Sequence, residues 1–371
     1  MTKQELRKVI EAIPPLNENA MERARLRQQS LAKPPGSLGL LEDISVQMAG
    51  ITGRVNNRID KTCVVVMCAD NGVVEEQVSS APQSVTLAQT VNFTRRLTGV
   101  GALSESFGSE LLIVDVGING KIPSNLYTET PFSDTHKIVN RRIADGTQNL
   151  AKTSAMTEDQ ALRALEVGLE MAAAVKENGY TIFGIGEMGI GNTTTSAAVL
   201  SALTGEPAAE TVGRGGGILD SSFARKKEIV DAAMGRCKGL PPLDVLAQVG
   251  GLDLAAMTGA FLGAALNRLP VVIDGYISAV AALAASRIAP SCVAYMFPSH
   301  KSYERGYRLA MKSLGLEPYL DLKMRLGEGS GCPLAFKIIE GACEVMNRMA
   351  TFEEAEINDE YLEEIRRGDC F

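Results

Sequence analysis

Three glycine-containing segments hold the residue types from which an anion site and a proton-transfer site can be built. They are GIGEMGIGNTTTSAAVL (184–200), VGRGGGILD (212–220) and MRLGEGSGCPLAF (324–336). In the first, Gly189 and Gly191 let backbone approach a ligand, and Asn192 and Thr193 supply polar side chains where a helix begins. Exposed amides and the helix dipole favour an anion there, so we predict a phosphate site. The alternative is a glycine turn with an ordinary Asn/Thr cap.

The second and third segments supply charge. Arg214 or Lys226 can provide the positive charge that a phosphate needs, although basic residues on helices are commonly just solvated. Glu328 lies between Gly327 and Gly329, where neighbours without side chains leave room for a flat ligand to reach the carboxylate. This placement predicts a general base. An acid that interacts with a helix dipole is the alternative.

Short apolar runs, each bounded by turn residues, predict the elements that position these segments. They are TCVVVMCA (62–69), ELLIVDVG (110–117), YTIFGIG (180–186), PVVIDG (270–275) and SCVAYMF (291–297). Continuous apolar runs suit strands that are covered on both faces, and helical stretches lie between them. The pattern predicts an α/β fold of the doubly wound type with a mainly parallel sheet.

Ligands of such sheets bind beyond the carboxyl ends of the strands. Polar and glycine residues follow or end each predicted strand, and we expect them to converge on one rim. They are Asp70-Asn71-Gly72, Asp115, Gly186-Glu187, Asp274-Gly275 and Ser299-His300.

Helices are predicted at both ends of the chain, over 3–13, 16–32 and 40–52 and again beyond residue 303 as far as DEYLEEIRR (359–367). We expect residues 1–55 and 303–371 to form a small helical domain, and residues 56–302 to form the large α/β domain.

Composition excludes several classes of protein. The 371-residue chain carries a net charge of −7 and has no long basic run, which argues against nucleic-acid binding. Its seven cysteines match no zinc pattern, and the apolar setting of Cys63, Cys68 and Cys292 indicates reduced thiols and a cytoplasmic location. The N-terminus lacks a signal-peptide core, and residues 254–297 are too interrupted to span a membrane.

A nicotinamide-dependent oxidoreductase is one rival, because Gly184-x-Gly186-x-x-Gly189 matches the dinucleotide fingerprint. The acidic residue expected about 20 positions later has no good candidate: Glu206 sits in a turn-like stretch. A non-catalytic nucleotide-binding protein is a second rival.

Eight segments, in order along nearly the whole chain, resemble the nicotinate-nucleotide:dimethylbenzimidazole phosphoribosyltransferase family. They are KPPGSLGLLE (33–42), ADNGVVEEQVSSAPQSVT (69–86), GIGEMGIGNTTTSAAV (184–199), VGRGGG (212–217), GLDLAAMTGAFLGAA (251–265), PVVIDGYISAVAAL (270–283), SHKSYERG (299–306) and LDLKMRLGEGSG (320–331). This resemblance implies a homodimer with a Rossmann-like large domain, and transfer of phosphoribosyl from nicotinate mononucleotide to a lower-ligand base of cobalamin. It implies no metal or other cofactor.

The resemblance also implies roles for residues. Glu328 corresponds to the proton acceptor, with Glu187 as a secondary acid nearby. The phosphate would be held by Gly189, Gly191, Asn192, Gly215 and Lys226. The rest of the substrate site would involve Ser80, Gln83, Gln89, Asp274, Ser302 and Leu326. The chain departs from the family pattern at Gly216, often Thr, and at Ala88, often Gln. The second departure leaves the preferred base open.

Overall fold

A single sheet of seven parallel strands forms the centre of the computed structural model, which describes residues 1–362. The strands are β1 (Thr62–Ala69), β2 (Glu110–Gly117), β3 (Tyr127–Thr128), β4 (Ile138–Asn140), β5 (Ile182–Met188), β6 (Val271–Ile273) and β7 (Met296–Pro298). Their order is β3-β4-β2-β1-β5-β6-β7, and every pairing is parallel. The prediction of a Rossmann-like, doubly wound fold is therefore confirmed.

The strand order reverses at the centre of the sheet. From β1 the chain moves outward through β2 and β4 on one side, and it later returns to the other side of β1 with β5. Every residue of β1 is buried, as expected for a central strand rich in valine that is covered on both faces. The crevice between the carboxyl ends of β1 and β5 is the expected ligand site of this topology.

Fourteen α-helices within residues 1–362 surround the sheet and extend to the chain ends. They are α1 (Lys3–Ala12), α2 (Glu18–Ser30), α3 (Leu40–Thr52), α4 (Ser84–Thr94), α5 (Gly99–Phe107), α6 (Glu158–Glu177), α7 (Asn192–Thr204), α8 (Ala208–Thr211), α9 (Asp220–Cys237), α10 (Pro242–Val249), α11 (Leu252–Leu266), α12 (Tyr276–Ile288), α13 (Tyr307–Leu314) and α14 (Cys332–Arg348). The predicted helix–strand–helix interpretation of 254–297 corresponds to α11, β6 and α12, with a short 3-10 helix before β7.

Helices from both chain ends meet. Ala20 and Ala24 of α2, Ala49 of α3 and Met346 of α14 form a small apolar cluster separate from the main core. Residues Leu31 and Thr351 form a β-bridge beside it. At its other end, α14 packs on β5 and β6 of the sheet. The terminal helices therefore join one another, while the division into two domains stays a prediction.

One predicted element differs from the structure, and two short strands were not predicted. Residues 291–297 were expected to be a strand, but Pro290–Tyr295 is a 3-10 helix and only Met296–Pro298 pairs with the sheet. The buried Cys292 and Tyr295 lie three residues apart, which suits the three-residue turn of that helix. Strands β3 and β4 were missed, because two and three residues are too few to give a period. Most of the predicted terminal helix 359–367 lies outside the described residues.

Candidate functional site

A cavity of about 340 Å³ opens at the carboxyl edge of the sheet, over the switch point between β1 and β5. Twelve of the fourteen predicted catalytic and substrate-binding residues line it. They are Ser80, Gln89, Glu187, Gly189, Gly191, Asn192, Thr193, Gly215, Asp274, Ser302, Leu326 and Glu328. The three glycine-containing segments thus share one cavity, although they are up to 140 residues apart in the chain.

The prediction that the polar residues after each strand converge on one rim is only partly correct. Glu187, Asp274 and His300 line the cavity, whereas Asp70 and Asp115 do not. Asp115 accepts hydrogen bonds from the Tyr127 hydroxyl at 2.5 Å and from a backbone amide, and Asp70 accepts one from the backbone of Asn119. These two carboxylates therefore accept hydrogen bonds from the loop that follows β2 and do not face the cavity.

The loop that carries Glu328 has an unusual backbone. Gly327, Glu328 and Gly329 all have positive φ angles, of 85°, 64° and 89°. A positive φ strains a residue with a Cβ, so the surrounding structure must hold Glu328 in place. The loop also lies directly on β5: a Cβ at Gly186 would be 2.2 Å from the carbonyl oxygen of Glu328.

Asp274 is the residue that holds this loop. Its two carboxylate oxygens accept hydrogen bonds from the backbone amides of Gly329, at 3.1 Å, and Gly331, at 2.7 Å. Burial raises the pKa of Asp274, while His300 and the loop amides lower it. The structure therefore gives Asp274 a positioning contact, and its contact with substrate stays a prediction.

The Glu328 side chain is only 5 % exposed and is fixed by two donors. The Gln89 amide donates to Oε1 at 2.9 Å, and the backbone amide of Val100 donates to Oε2 at 3.1 Å. Both donors come from helices that precede β2, far from Glu328 in sequence. The carboxylate is therefore oriented before any ligand arrives.

Glu187, at the end of β5, connects the two ends of the cavity. Its Oε1 accepts a hydrogen bond of 3.4 Å from the Glu328 backbone, and its Oε2 accepts one from the Asn192 amide. Burial, together with the nearby charges of Asp253 and Asp274, raises the pKa of Glu187 to about 8 against the lowering effect of the hydrogen bond from Asn192. This acid is therefore mostly protonated at neutral pH.

The anion end of the cavity lies where α7 begins. Gly191 precedes the helix with a φ of 94°, and a Cβ at Gly189 would be 2.3 Å from a carbonyl oxygen of β1. Glycine is therefore required at both positions, and Gly189, Gly191, Asn192 and Thr193 line the cavity where α7 begins. This is the geometry that favours a phosphate.

Lys226 lies behind this end of the cavity, and Arg214 is turned away from it. The buried Lys226 ammonium donates to Thr193 Oγ1 at 2.7 Å and to the Gly213 carbonyl at 3.3 Å. Burial lowers the pKa of Lys226 to about 8. Arg214 is half-exposed, pairs with Asp220 and stacks over Phe223. Of the two candidate cations, the structure therefore favours Lys226.

Gln83 does not line the cavity. It immediately precedes α4, and its contact with substrate stays a prediction.

Two acids at or near the site were missed by sequence reasoning. Asp253 is fully buried and accepts a hydrogen bond of 3.1 Å from Asn192, and burial raises its pKa to about 6. Glu304 lines the cavity. One signal was available for Asp253, which is the single charged residue in the otherwise apolar helix α11.

Among residues 1–362, no helix is long and apolar enough to cross a membrane. Within the same residues, no cluster of three or more His, Cys, Asp or Glu side chains is arranged to hold a metal ion. The six cysteines of this part of the chain are buried free thiols, and Cys370 lies outside it.

Comparison with known proteins agrees with the resemblance. The sequence model of a family described as "Phosphoribosyltransferase" matches residues 13–357. The nicotinate-nucleotide–dimethylbenzimidazole phosphoribosyltransferase of Clostridium perfringens is 51% identical over 368 residues, which cover 99% of each chain. The enzyme of the same name from Ruminiclostridium cellulolyticum is 48% identical over 350 residues, covering 94% of this chain and 96% of its own.

Solved structures give the same result. The crystal structure of CobT from Thermus thermophilus superposes with a TM-score of 0.87 at 38% identity, covering 92% of this chain and 99% of that one. Identity and coverage of this extent show family membership as well as fold. The chain belongs to the nicotinate-nucleotide–dimethylbenzimidazole phosphoribosyltransferase family.

Proposed function

We propose that this protein transfers phosphoribosyl from nicotinate mononucleotide to dimethylbenzimidazole or a similar base, releasing nicotinate and forming α-ribazole phosphate for the nucleotide loop of cobalamin. One observation carries the proposal: a single cavity combines the glycine turn at the start of α7, which suits a monophosphate, with a fixed glutamate, Glu328, at its other end. Relatives that bear the name of this reaction match nearly the whole chain.

The nucleotide binds with its phosphate at the start of α7. Backbone amides near Gly189 and Gly191, the Thr193 hydroxyl and the Lys226 ammonium supply hydrogen bonds and charge there. The pyridinium on the anomeric carbon then points toward Glu328. Holding the nucleotide and the incoming base in this arrangement supplies much of the rate enhancement.

The reaction exchanges one carbon–nitrogen bond for another. An unprotonated ring nitrogen of the benzimidazole attacks the anomeric carbon from the face opposite the pyridinium, with inversion of configuration. The bond to nicotinate breaks, and its electron pair stays on the pyridine nitrogen, which leaves as a neutral base. Glu328 takes the proton from the other azole nitrogen, so that the product ring is also neutral.

Glu187 serves as an uncharged neighbour of the general base Glu328. Because burial raises its pKa to about 8, a protonated Glu187 adds no second negative charge beside Glu328 at neutral pH. Its contacts with the Glu328 backbone and with Asn192 link the base end to the phosphate end.

The reaction is tested by incubating the purified protein with nicotinate mononucleotide and dimethylbenzimidazole, and following both products by chromatography. Equimolar nicotinate and α-ribazole phosphate are expected. Nicotinate alone would indicate hydrolysis. No product despite nucleotide binding would favour a non-catalytic nucleotide-binding protein, and turnover of NADH with a carbonyl substrate would favour an oxidoreductase.

Three further properties belong to the same proposal. The protein acts as a homodimer, which sedimentation can test, and it works in the cytoplasm on small molecules. Residues 1–55 and 303–371 form a small helical domain beside the α/β domain of residues 56–302. The apolar cluster of α2, α3 and α14 supports this division.

A further inference from the structure

Four carboxylates line the cavity, and they differ in whether their oxygens are already used. Both oxygens of Glu187, of Asp274 and of Glu328 accept hydrogen bonds from the protein itself. Glu304 is different: its Oε2 is buried and has no hydrogen-bond partner. Within residues 1–362 it is the one cavity-lining carboxylate with an unused, buried oxygen.

Glu304 is held beside the phosphate end of the cavity. The backbone amide of Gly215, in the glycine loop, donates to its carboxylate. A Cβ at Gly213 would lie only 1.9 Å from Oε2, so this loop approaches the carboxylate as closely as glycine permits. Burial raises the pKa of Glu304, and the charges of Lys226 and Arg325 only partly offset this. The carboxylate of Glu304 is thus held against the glycine loop, and its Oε2 still lacks a hydrogen-bond donor.

The chemistry of the nucleotide limits which donor that can be. In nicotinate mononucleotide the ionised phosphate, the nicotinate carboxylate and the pyridinium ring carry no hydrogen-bond donor at neutral pH. The two ribose hydroxyls are the donors that remain. They also lie next to the phosphate along the molecule, as Glu304 lies next to the phosphate-binding loop.

We infer that Glu304 accepts a hydrogen bond from a ribose hydroxyl of the nucleotide, and that this bond makes the enzyme specific for ribose over deoxyribose. The inference rests on the proposed function for the identity of the nucleotide. A buried carboxylate left without a donor is costly, and a substrate that lacks the hydroxyl leaves it so. Glu304 is therefore a specificity-determining residue for the sugar, distinct in role from the base Glu328.

Equilibrium binding tests this inference without requiring turnover. Calorimetry would compare nicotinate mononucleotide with its 2′-deoxy and 3′-deoxy analogues and with nicotinate riboside, which lacks the phosphate. We expect at least one deoxy analogue to bind the wild type about 10- to 100-fold more weakly than the parent, as for the loss of a hydrogen bond to a charged group. In Glu304→Gln this preference should shrink to a few fold, while the preference for nucleotide over riboside stays unchanged.

The control is Glu317→Gln, an exposed glutamate whose replacement should leave both preferences intact. Glu304→Asp, which keeps the charge but withdraws the carboxylate, should also reduce the sugar preference and serves if the first variant fails to fold. Equal affinity of the wild type for parent and both deoxy analogues would overturn the inference. An unchanged preference for ribose over deoxyribose in both Glu304 variants would also overturn it. So would variants that lose only the preference for nucleotide over riboside. Absence of product with the sugar preference intact would contradict the proposed function alone.

Discussion

The two ends of the cavity are built in different ways. At the proposed phosphate end the cavity is lined by consecutive residues, 189–193, which a strand, a glycine turn and a helix place together. At the proposed base end the cavity is lined by the Glu328 side chain, whose partners Gln89 and Val100 are more than 200 residues away in the chain. The phosphate site is therefore a local structure, whereas the base site exists only in the folded molecule.

This difference predicts unequal sensitivity to substitution. A site made from several amides and one buried lysine shares its interaction with the phosphate among many donors. A site made from one carboxylate concentrates a chemical step in a single group. Substitutions at the base end should lower the rate of the reaction, and substitutions at the phosphate end should mainly lower nucleotide affinity.

The largest effect is expected at the base. Glu328→Gln keeps the shape of the side chain and removes the proton acceptor, so kcat should fall by about 10²- to 10⁴-fold. Nucleotide affinity, measured by calorimetry, should change little, because the phosphate site is at the other end. Glu340→Gln, a surface glutamate paired with Lys337 on α14, is the matched control. A kcat within a factor of a few of the wild type would remove Glu328 from the mechanism.

Glu187, which joins the two ends, should control how stability depends on pH. Its folded pKa of about 8 lies above the usual value of 4.5, so the folded state favours the protonated acid. The stability that this group contributes is complete below pH 4.5 and is lost as pH rises through 8. The free energy of unfolding of the wild type should therefore fall, relative to Glu187→Gln, by on the order of a few kcal/mol over this range.

Urea denaturation of both proteins at about pH 5 and about pH 8 measures that difference. Glu228→Gln, an exposed position on α9, should show the pH dependence of the wild type. If Glu187→Gln and the wild type lose stability in parallel between the two pH values, the buried carboxyl does not titrate as described.

The smallest effect is expected at the phosphate end. Lys226→Met should raise the KM for nicotinate mononucleotide by about 10- to 100-fold, as for the loss of one charge-assisted hydrogen bond, with a much smaller change in kcat. Wild-type affinity should also fall above about pH 8, where the buried ammonium loses its proton, and this fall should be absent from the variant. Affinity for the riboside should not change.

Lys227→Met provides the control for this prediction, since the neighbouring lysine stacks on Phe223 instead of facing Thr193. A drop in kcat without a rise in KM would mean that Lys226 takes part in the chemical step. The expected separation, with rate controlled at the base end and affinity at the phosphate end, would then be wrong.

Much of the fold could be predicted because its signals are local. Three of the five predicted strands are present over most of their length, and half of the fourth, 270–275, is strand β6. The helices 3–13, 16–32 and 40–52 match α1, α2 and α3 to within two residues at each end. The segment at 291–297 failed because its apolar residues suit a 3-10 helix as well as a strand. Strands β3 and β4 depend on pairing with their neighbours and have too few residues to show a pattern of their own.

The sequence by itself determined the class of sheet, the glycine turn before α7 and the candidate base Glu328, since continuous apolar runs and glycine spacing reflect local geometry. Only the tertiary structure decided which charged groups face the cavity. It placed Lys226 behind Thr193 and turned Arg214 outward, assigned Asp274 to the Glu328 loop, and left an oxygen of Glu304 free. The physical reason is that a buried charge is defined by its partners, and in this protein most of those partners lie far away along the chain.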